Sequence, residues 1–297
     1  MTASEGGARI GRTAARPERG VVAVGGSDAA EFLHGVVTCT VKTVPLGEGR
    51  FGALLSPQGK VLFDFFLARV EEGFLIEVAR ERVADFVKRL GFYRLRAKVE
   101  IADVSHEHDV FVTWDGAAPH RSGAVAFVDP RLAALGTHLI VPTTDGLSAD
   151  TDVAAWHAHR VHLGVPESGI DFELGEYFPH DVDMDDLAGV DFKKGCFVGQ
   201  EVVSRMKHRG TARRRVVHAR AVAAAARPPA GTEIEAGGRG LGTLGSSIDG
   251  VGLAMVRLDR ARGAMDAGAP ITAGGVELTL ALPEFAHFGW PEAGGAD

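Results

Sequence analysis

The spacing of the apolar runs changes along the chain, and this change restricts the fold more than any other feature of the sequence. From about residue 20 to residue 210, short runs rich in branched and aromatic residues alternate with segments of helical periodicity. Residues 231–283 instead place many glycines between short apolar runs, a pattern typical of a small antiparallel barrel. Strands interrupted by helices, followed by strands alone, predict an α+β protein that ends in a β-barrel.

Three segments before the barrel carry helix signals. The first follows Asp28, with Glu31 three residues later as in a capping box. The second covers residues 80–91, where Gly91 is placed to end the helix. The third follows the cap candidates at residues 150–152. Each segment has apolar residues three and four positions apart, which predicts one buried face per helix.

The composition limits the classes of function. The chain has 297 residues and no run of about 20 apolar residues, so we expect no membrane association. A formal net charge of −7 argues against a general nucleic-acid binder. The two cysteines, Cys39 and Cys196, cannot form a disulfide framework or a four-cysteine metal site. With no secretory signal and no membrane span, we expect a cytoplasmic protein. Residues 1–19 contain no apolar stretch, and we expect them to form a disordered tail.

Cys196 lies in the segment KKGCFVGQE, directly before a predicted helix that starts near Gly199. The positive end of the helix dipole and the two preceding lysines favour the thiolate, the form that attacks electrophiles or binds metal. Glycines on both sides of the cysteine allow unusual backbone angles and close approach of a ligand. A buried, inert thiol is the alternative that these residues leave open. One thiol cannot hold a cluster alone, so a metal role needs ligands from elsewhere.

Asp64 is a carboxylate inside the strongly apolar run VLFDFFLARV. Burial of an ionised carboxylate is costly unless it is paired, so Asp64 is paired, faces a sheet edge or lies in a pocket. An arginine partner is the most frequent of these outcomes. For Cys39, which has no positive charge nearby in the sequence, we expect a packing role.

A basic run, RMKHR at residues 205–209 and RRR at residues 213–215, is dense for an acidic protein. It could bind phosphate, polyglutamate or RNA. It could equally be a solvated helix end that complements the acidic stretch at residues 171–191. No aromatic residue lies between the cations, so the stacking surfaces of single-strand binders are missing and we do not expect direct nucleic-acid binding. The sequence also has no Walker, GxSxG or HExxH motif, and no GxGxxG that follows a predicted strand.

The segment KKGCFVGQE resembles the K-G-C-[YF]-x-G-Q-E signature of the YgfZ-type folate-binding proteins and their mitochondrial iron–sulfur assembly relatives. Five other segments resemble landmarks of the same family in the same order: GSDAAEFLHGVVT, LLSPQGKVLFDF, FYRLRAKVEI, RVHLGVPESGID and GLAMVRLDRA. The resemblance covers the chain from about Gly20 to about Leu282. It implies the three-domain, clover-like α+β fold of the T-protein aminomethyltransferases, with an antiparallel β-barrel at the C-terminus.

The resemblance also implies domain boundaries. Residues 20–48 together with 150–207 would form a first α+β domain that carries Cys196. Residues 49–149 would form a second α+β domain, and residues 208–297 would form the barrel.

The function that the resemblance implies is accessory to iron–sulfur cluster assembly or repair. The clients would be four-iron and radical-SAM enzymes, including the enzyme of tRNA methylthiolation. Cys196 would be the key thiol, sharing a transient cluster with an A-type carrier protein, and Lys194 would be its required neighbour. This favours a non-catalytic factor over an enzyme. Residues that would bind tetrahydrofolate or shape the site are Asp64, Tyr93, His162, Gly195, Gly199, Gln200, Glu201 and Arg205.

Departures from the family pattern bear on folate. T-proteins carry two adjacent acids near the reacting folate nitrogen, whereas this chain has Phe63 and then Asp64. Folate-binding relatives carry a glutamate for the pterin where this chain has His162. An imidazole cannot accept two N–H bonds as a carboxylate does, and His162 places the chain closer to the mitochondrial-type branch.

Two alternatives stay open. One is a folate-dependent aminomethyl transferase that uses Asp64 as general base or charge stabiliser. The other is an RNA-binding module that presents tRNA through residues 205–215.

Overall fold

The computed structural model describes residues 10–210, 212–223 and 228–292. The helices in these residues are α1 (Ala29–Val36), α2 (Val83–Arg94), α3 (Val153–His162), α4 (Gln200–Arg209) and α5 (Leu258–Asp266). Short 3₁₀ turns lie between several of the strands and helices. The helix signals found in the sequence correspond to α1, α2 and α3, and the helix predicted to start near Gly199 is α4.

Two antiparallel sheets precede the barrel. The five-stranded sheet has the order β3-β4-β5-β2-β6 and the four-stranded sheet has the order β1-β7-β9-β8. Their strands are β1 (Arg12–Ala15), β2 (Arg19–Gly25), β3 (Gly49–Leu55), β4 (Val61–Val70), β5 (Gly73–Ala79), β6 (Glu100–Asp103), β7 (His108–Trp114), β8 (Val125–Val128) and β9 (Thr137–Pro142). Strands that lie side by side but far apart in sequence, such as β2 and β5, are paired in register along their length.

The glycine-rich region forms a closed antiparallel barrel with the strand order β10-β13-β12-β11-β14-β15. Its strands are β10 (Arg214–Ala221), β11 (Glu233–Ala236), β12 (Arg239–Ile248), β13 (Val251–Arg257), β14 (Ile271–Ala273) and β15 (Val276–Ala281). Buried apolar side chains such as Val217, Leu244 and Val256 form its core. Closure leaves no unpaired sheet edge, which short strands of this kind otherwise expose. The predicted C-terminal barrel is confirmed.

The chain folds into two compact units that alternate along the sequence. The first unit contains the described residues up to His34, together with Thr40–Phe51 and Phe65–Trp156. The second unit contains Gly35–Cys39, Gly52–Asp64 and the described residues from His157 onward. The KKGCFVGQE segment and the barrel both belong to the second unit. The three-domain boundaries implied by the resemblance stay a prediction.

The disordered tail expected for residues 1–19 is wrong from residue 10 onward. Arg12–Ala15 forms β1, which pairs with β7 in antiparallel register. The Thr13 amide also donates to the Asp150 carboxylate at 2.8 Å, and Ala14 is fully buried. A polar, arginine-rich segment is therefore ordered by a pairing partner about a hundred residues away, which its own composition cannot show. Residues 1–9 lie outside the described part of the chain.

The end expected for α2 at Gly91 is also wrong. The helix continues through Arg94, and Leu95 is the residue that leaves the helix, with φ of +44°. Val83, Phe86 and Leu90 are buried along one face of α2. A helix anchored in this way tolerates a glycine in its last turn, since tertiary packing outweighs the intrinsic propensity.

Candidate functional site

Cys196 stands on a loop that leads into α4. The next residue, Phe197, is buried, whereas Cys196 itself is exposed. Gly195, just before the cysteine, has φ of +100°, and a Cβ atom built there would meet no neighbour within 4 Å. A buried aromatic ring thus anchors the loop and turns the adjacent thiol toward solvent. The sequence left an inert, buried thiol open as an alternative, and this exposure disfavours it.

Lys194 braces the same loop from inside. Its ammonium group donates a hydrogen bond to the backbone carbonyl of Val37 at 2.8 Å and lies 5.1 Å from the centre of the Phe197 ring. The lysine is half-buried, so both contacts are partly shielded from water, which strengthens hydrogen bonds and cation–π contacts. Lys194 therefore helps to hold the loop that carries Cys196.

Thr38 connects the segment before the loop to the neighbouring sheet. Its hydroxyl donates to the carbonyl of Gly189 at 2.6 Å and accepts from the amide of Ala53 at 2.7 Å. Its own carbonyl accepts from the amide of Asp191 at 3.0 Å. These three bonds hold the approach to the cysteine loop against β3. Cys39, the next residue, is 2 % exposed, so its predicted packing role is confirmed.

The start of α4 packs against the turn between β3 and β4. Gly199 has φ of +78°, and a Cβ atom on it would lie 2.5 Å from the carbonyl oxygen of Ser56. Across the contact Gly59 has φ of +84°, and its Cβ would lie 3.1 Å from Val202. Two glycines therefore allow a backbone approach that no larger residue permits. The turn itself is closed by the amide of Gly59, which donates to the Ser56 carbonyl at 2.8 Å.

This contact predicts different costs for two alanine substitutions in the same loop. Gly195→Ala places a methyl group in open space and carries only the strain of its positive φ. Gly199→Ala carries the same kind of strain and also overlaps the Ser56 carbonyl, which adds about 1–3 kcal/mol of overpacking. Urea unfolding of both variants measures the difference. Equal stability of the two proteins would show that the turn does not pack on α4 as described.

Two of the remaining predicted site residues on α4 contact each other. Glu201 and Arg205 form an ion pair at 2.7 Å on the solvent face of the helix, one turn apart. Both side chains are exposed, so the pair contributes little to stability. Gln200 is half-buried at the first position of α4. The structure therefore leaves Glu201 and Arg205 at the surface, whereas Lys194 on the loop and Gln200 at the start of α4 are half-buried.

The residues proposed for folate are distributed over both units. Asp64 is 8 % exposed and accepts a hydrogen bond from the Ser168 hydroxyl at 2.6 Å, so its observed hydrogen-bond partner is a serine and not the arginine that we expected. His162 is exposed at the end of α3, with Nδ1 2.7 Å from the carbonyl oxygen of Ala158. Tyr93 is half-buried on α2 and belongs to the first unit, whereas Asp64 and His162 belong to the second.

The basic run is partly structural. Arg215 is buried and forms a two-point ion pair with Asp185, at 2.5 and 3.1 Å. Burial works to raise the pKa of Asp185, but the hydrogen bonds and charge of Arg215 outweigh it and lower that pKa. Asp183 beside them is fully buried, and loss of solvent raises its pKa well above the ordinary value. The acidic stretch at residues 171–191 therefore pairs with the basic run, as one of the two interpretations expected. The pair between Arg215 and Asp185 is buried, however, and not solvated.

Sequence analysis did not identify this cluster as a unit. His180 is 1 % exposed beside it, and burial lowers its pKa. The signal that could have found the cluster is the density of acids at residues 181–186, which a chain buries only with a cation close by.

Cys196 would need partners to hold a metal. Within residues 10–210, 212–223 and 228–292, no group of three or more histidine, cysteine, aspartate or glutamate side chains is arranged to bind a metal ion. An exposed thiol can supply one ligand, and a cluster needs several. The helices of the same residues include none with the length and apolarity to span a membrane.

Comparison with known proteins gives one family. Residues 213–288 match the family model described as the C-terminal beta-barrel domain of CAF17. A protein of Neurospora crassa named iron-sulfur cluster assembly factor IBA57 homolog, mitochondrial, is 32% identical over 224 residues, which are 67% of this chain and 51% of that protein. The homologue from Pyricularia oryzae, with the same name, is 32% identical over 289 residues, covering 84% of this chain and 72% of that protein. Human IBA57 is 29% identical over 306 residues, covering 92% and 83%.

A solved structure shows the same fold. The glycine cleavage system aminomethyltransferase T from Bartonella henselae superposes with a TM-score of 0.75 at 16% identity, over 93% of this chain and 86% of that one. The T-protein-type fold predicted from the resemblance is therefore confirmed. The chain spans about half the length of the N. crassa relative. These relatives are named mitochondrial proteins, which contradicts the cytoplasmic location expected from the sequence.

Proposed function

Because the chain belongs to the family of iron–sulfur cluster assembly factors named IBA57, we propose that it acts in iron–sulfur cluster assembly through Cys196. The observation that supports this role is the exposed thiol on a braced loop. Phe197 and Lys194 fix the loop, and Cys196 is the residue that the loop presents to solvent. A thiolate in this position can serve as one cluster ligand, with the cluster as cargo.

The proposed partner is a carrier protein that supplies the other ligands. Because this chain offers a single thiol, a second protein must supply the other cluster ligands. The resemblance suggests a protein of the A-type carrier kind. The glycine at position 195 leaves open space at its Cα, so the partner's backbone can approach the thiol closely. As client enzymes we propose those with four-iron clusters and radical-SAM enzymes, including the enzyme of tRNA methylthiolation.

The residues present do not fit a tetrahydrofolate site. His162 has Nδ1 on the Ala158 carbonyl, so this nitrogen carries the proton and only Nε2 remains as an acceptor. It therefore cannot replace a carboxylate that accepts two pterin N–H bonds. Asp64 is turned to the Ser168 hydroxyl. The proposed function accordingly runs through no folate step.

The aminomethyl transferase alternative depends on Asp64. This carboxylate is buried and close to a hydroxyl, which suits a general base, but the second acid of the T-proteins is replaced by Phe63. Turnover of an aminomethyl donor with tetrahydrofolate, lost in Asp64→Asn, would establish the transferase and replace the proposal.

A deletion strain tests the proposed function. Its aconitase and radical-SAM activities should be restored by the wild-type gene and should stay at the level of the empty vector with Cys196→Ala. Cys39→Ala is the matched control, because it removes the other thiol from a packed position far from solvent. Full rescue by Cys196→Ala, with both variants expressed equally, would remove the thiol from the proposal.

A further inference from the structure

A cleft of about 390 Å³ lies on the barrel. The residues that line it do not belong to the loop that carries Cys196. It is formed where the end of β13 and the start of α5 meet β10 and β12. Three arginines from these elements line it, Arg214, Arg257 and Arg260, and Glu233 is the carboxylate in its wall. Such a cation-rich wall is unusual in a chain with a net charge of −7.

Two of the three guanidinium groups are held in place by the protein. Arg257 forms a two-point ion pair with Asp259, at 3.0 and 2.5 Å. Arg260 donates from Nη1 to the carbonyl oxygen of Gly240 at 2.8 Å. Groups fixed in this way lose little conformational entropy when a ligand binds, so the cleft is preorganised.

Arg260 has a donor left over. Its Nε atom is buried, and no residue in the described part of the chain accepts a hydrogen bond from it. A buried N–H without an acceptor is costly, so the protein itself leaves this guanidinium short of acceptors. Arg214 is exposed at the same cleft. Donors at the cleft therefore exceed the acceptors that the protein itself provides.

We propose that this cleft binds the phosphate group of a small molecule. Guanidinium groups match the geometry of phosphate oxygens and form charge-assisted hydrogen bonds with them. The volume is larger than one phosphate needs, and Tyr177 and Met255 complete its wall. This wall suits the organic part of a phosphate ester. The site is separate from Cys196 and does not depend on the proposed function.

Isothermal titration of the protein tests the proposal with inorganic phosphate and phenyl phosphate, at constant ionic strength set with sodium chloride. Both Arg260→Gln and Arg214→Gln should weaken binding about tenfold, since each removes a charge-assisted hydrogen bond. Arg262→Gln is the matched control, because this arginine lies on the same helix, pairs with Asp266 and does not line the cleft. Its affinity should equal that of the wild type.

A substitution that is expected to increase the affinity for phosphate distinguishes an effect on binding from an effect on folding, because a folding defect would only lower the affinity. Glu233→Gln removes the lining carboxylate, so phosphate should bind roughly threefold more tightly. Phenyl phosphate binding more tightly than inorganic phosphate supports an ester as the ligand, and equal affinities support free phosphate in the same site. Absence of binding by the wild type at millimolar phosphate would overturn the proposal. So would binding that Arg260→Gln and Arg214→Gln leave unchanged.

Discussion

Replacing His138 with leucine is expected to lower the free energy of unfolding by about 3–5 kcal/mol, the typical cost of removing one partner from a buried ionic group. His138 is 1 % exposed, and its two ring nitrogens lie 2.8 Å from the carboxylate of Glu77 and 3.0 Å from that of Asp129. Both carboxylates are also buried. Leucine would leave them in the interior without the group that bridges them.

The cluster has further contacts that fix its geometry. Arg19 donates to Glu77 at 2.8 Å, and Arg131 donates to Asp129 at 2.8 Å. The imidazole ring stacks on Phe127 at 5.2 Å between ring centres. Burial works against a charged imidazole, but the Glu77 charge and the hydrogen bonds of both carboxylates outweigh it and raise the pKa of His138. Burial likewise works against ionised Glu77, yet His138 and Arg19 lower its pKa to about 2.

The pH dependence of the stability follows from the lowered pKa of Glu77 and the raised pKa of His138. Glu77 titrates near 4.5 when unfolded, so its contribution is present above that pH and is lost as the pH falls toward 2. His138 titrates near 6.5 when unfolded, so its contribution is present below 6.5 and is lost as the pH rises through the higher folded-state pKa. The cluster therefore stabilises the fold most between about pH 4.5 and 6.5.

Urea unfolding of wild type and His138→Leu from pH 3 to pH 9 measures both effects. The stability difference should be largest in that window, and Asp129→Asn added to His138→Leu should recover part of the loss. His106→Leu is the control, because His106 is exposed and near no buried acid. A loss below about 1 kcal/mol at pH 6 would show that the cluster is not held as described.

The sequence predicted the parts of the fold that depend on local spacing. α3 begins after Asp152, whose carboxylate accepts from the amide of Ala155 at 2.9 Å, as a cap should. The barrel follows from its glycines and short strands. The His138 cluster could not be predicted, because its contacts join residues 61 and 58 positions apart along the chain. Burial of Arg215 could not be predicted for the same reason. A run of arginines has the same sequence pattern whether its side chains are solvated or form buried ion pairs.

The candidate site was predicted in part. The position of Cys196 before α4 followed from the glycines and the helix pattern, and the structure adds the Lys194 brace through Val37, a residue 157 positions earlier. The support of Gly199 by the Ser56–Gly59 turn was likewise outside the reach of local patterns. Sequence spacing identifies residues that could take part in chemistry. Long-range contacts determine which of these side chains are exposed to a ligand or partner.

The second large effect is expected on the complex with a carrier. If Cys196 shares a cluster ligand position with an A-type carrier, Cys196→Ala should abolish the complex and not merely weaken it. The thiolate bond to iron is covalent in character, and the described residues contain no group of three or more histidine, cysteine, aspartate or glutamate side chains that could hold the metal instead. Lys194→Met should reduce complex formation without abolishing it, since the lysine shapes the loop and does not supply the ligand.

The most direct test of this account is anaerobic. The protein is mixed with an A-type carrier loaded with a two-iron cluster, and visible absorption and native mass are recorded for wild type, Cys196→Ala and Cys39→Ala. A cluster-bearing complex is expected with wild type and with Cys39→Ala, and none is expected with Cys196→Ala. A complex of the same mass and spectrum with Cys196→Ala would contradict the role of Cys196 as a shared cluster ligand.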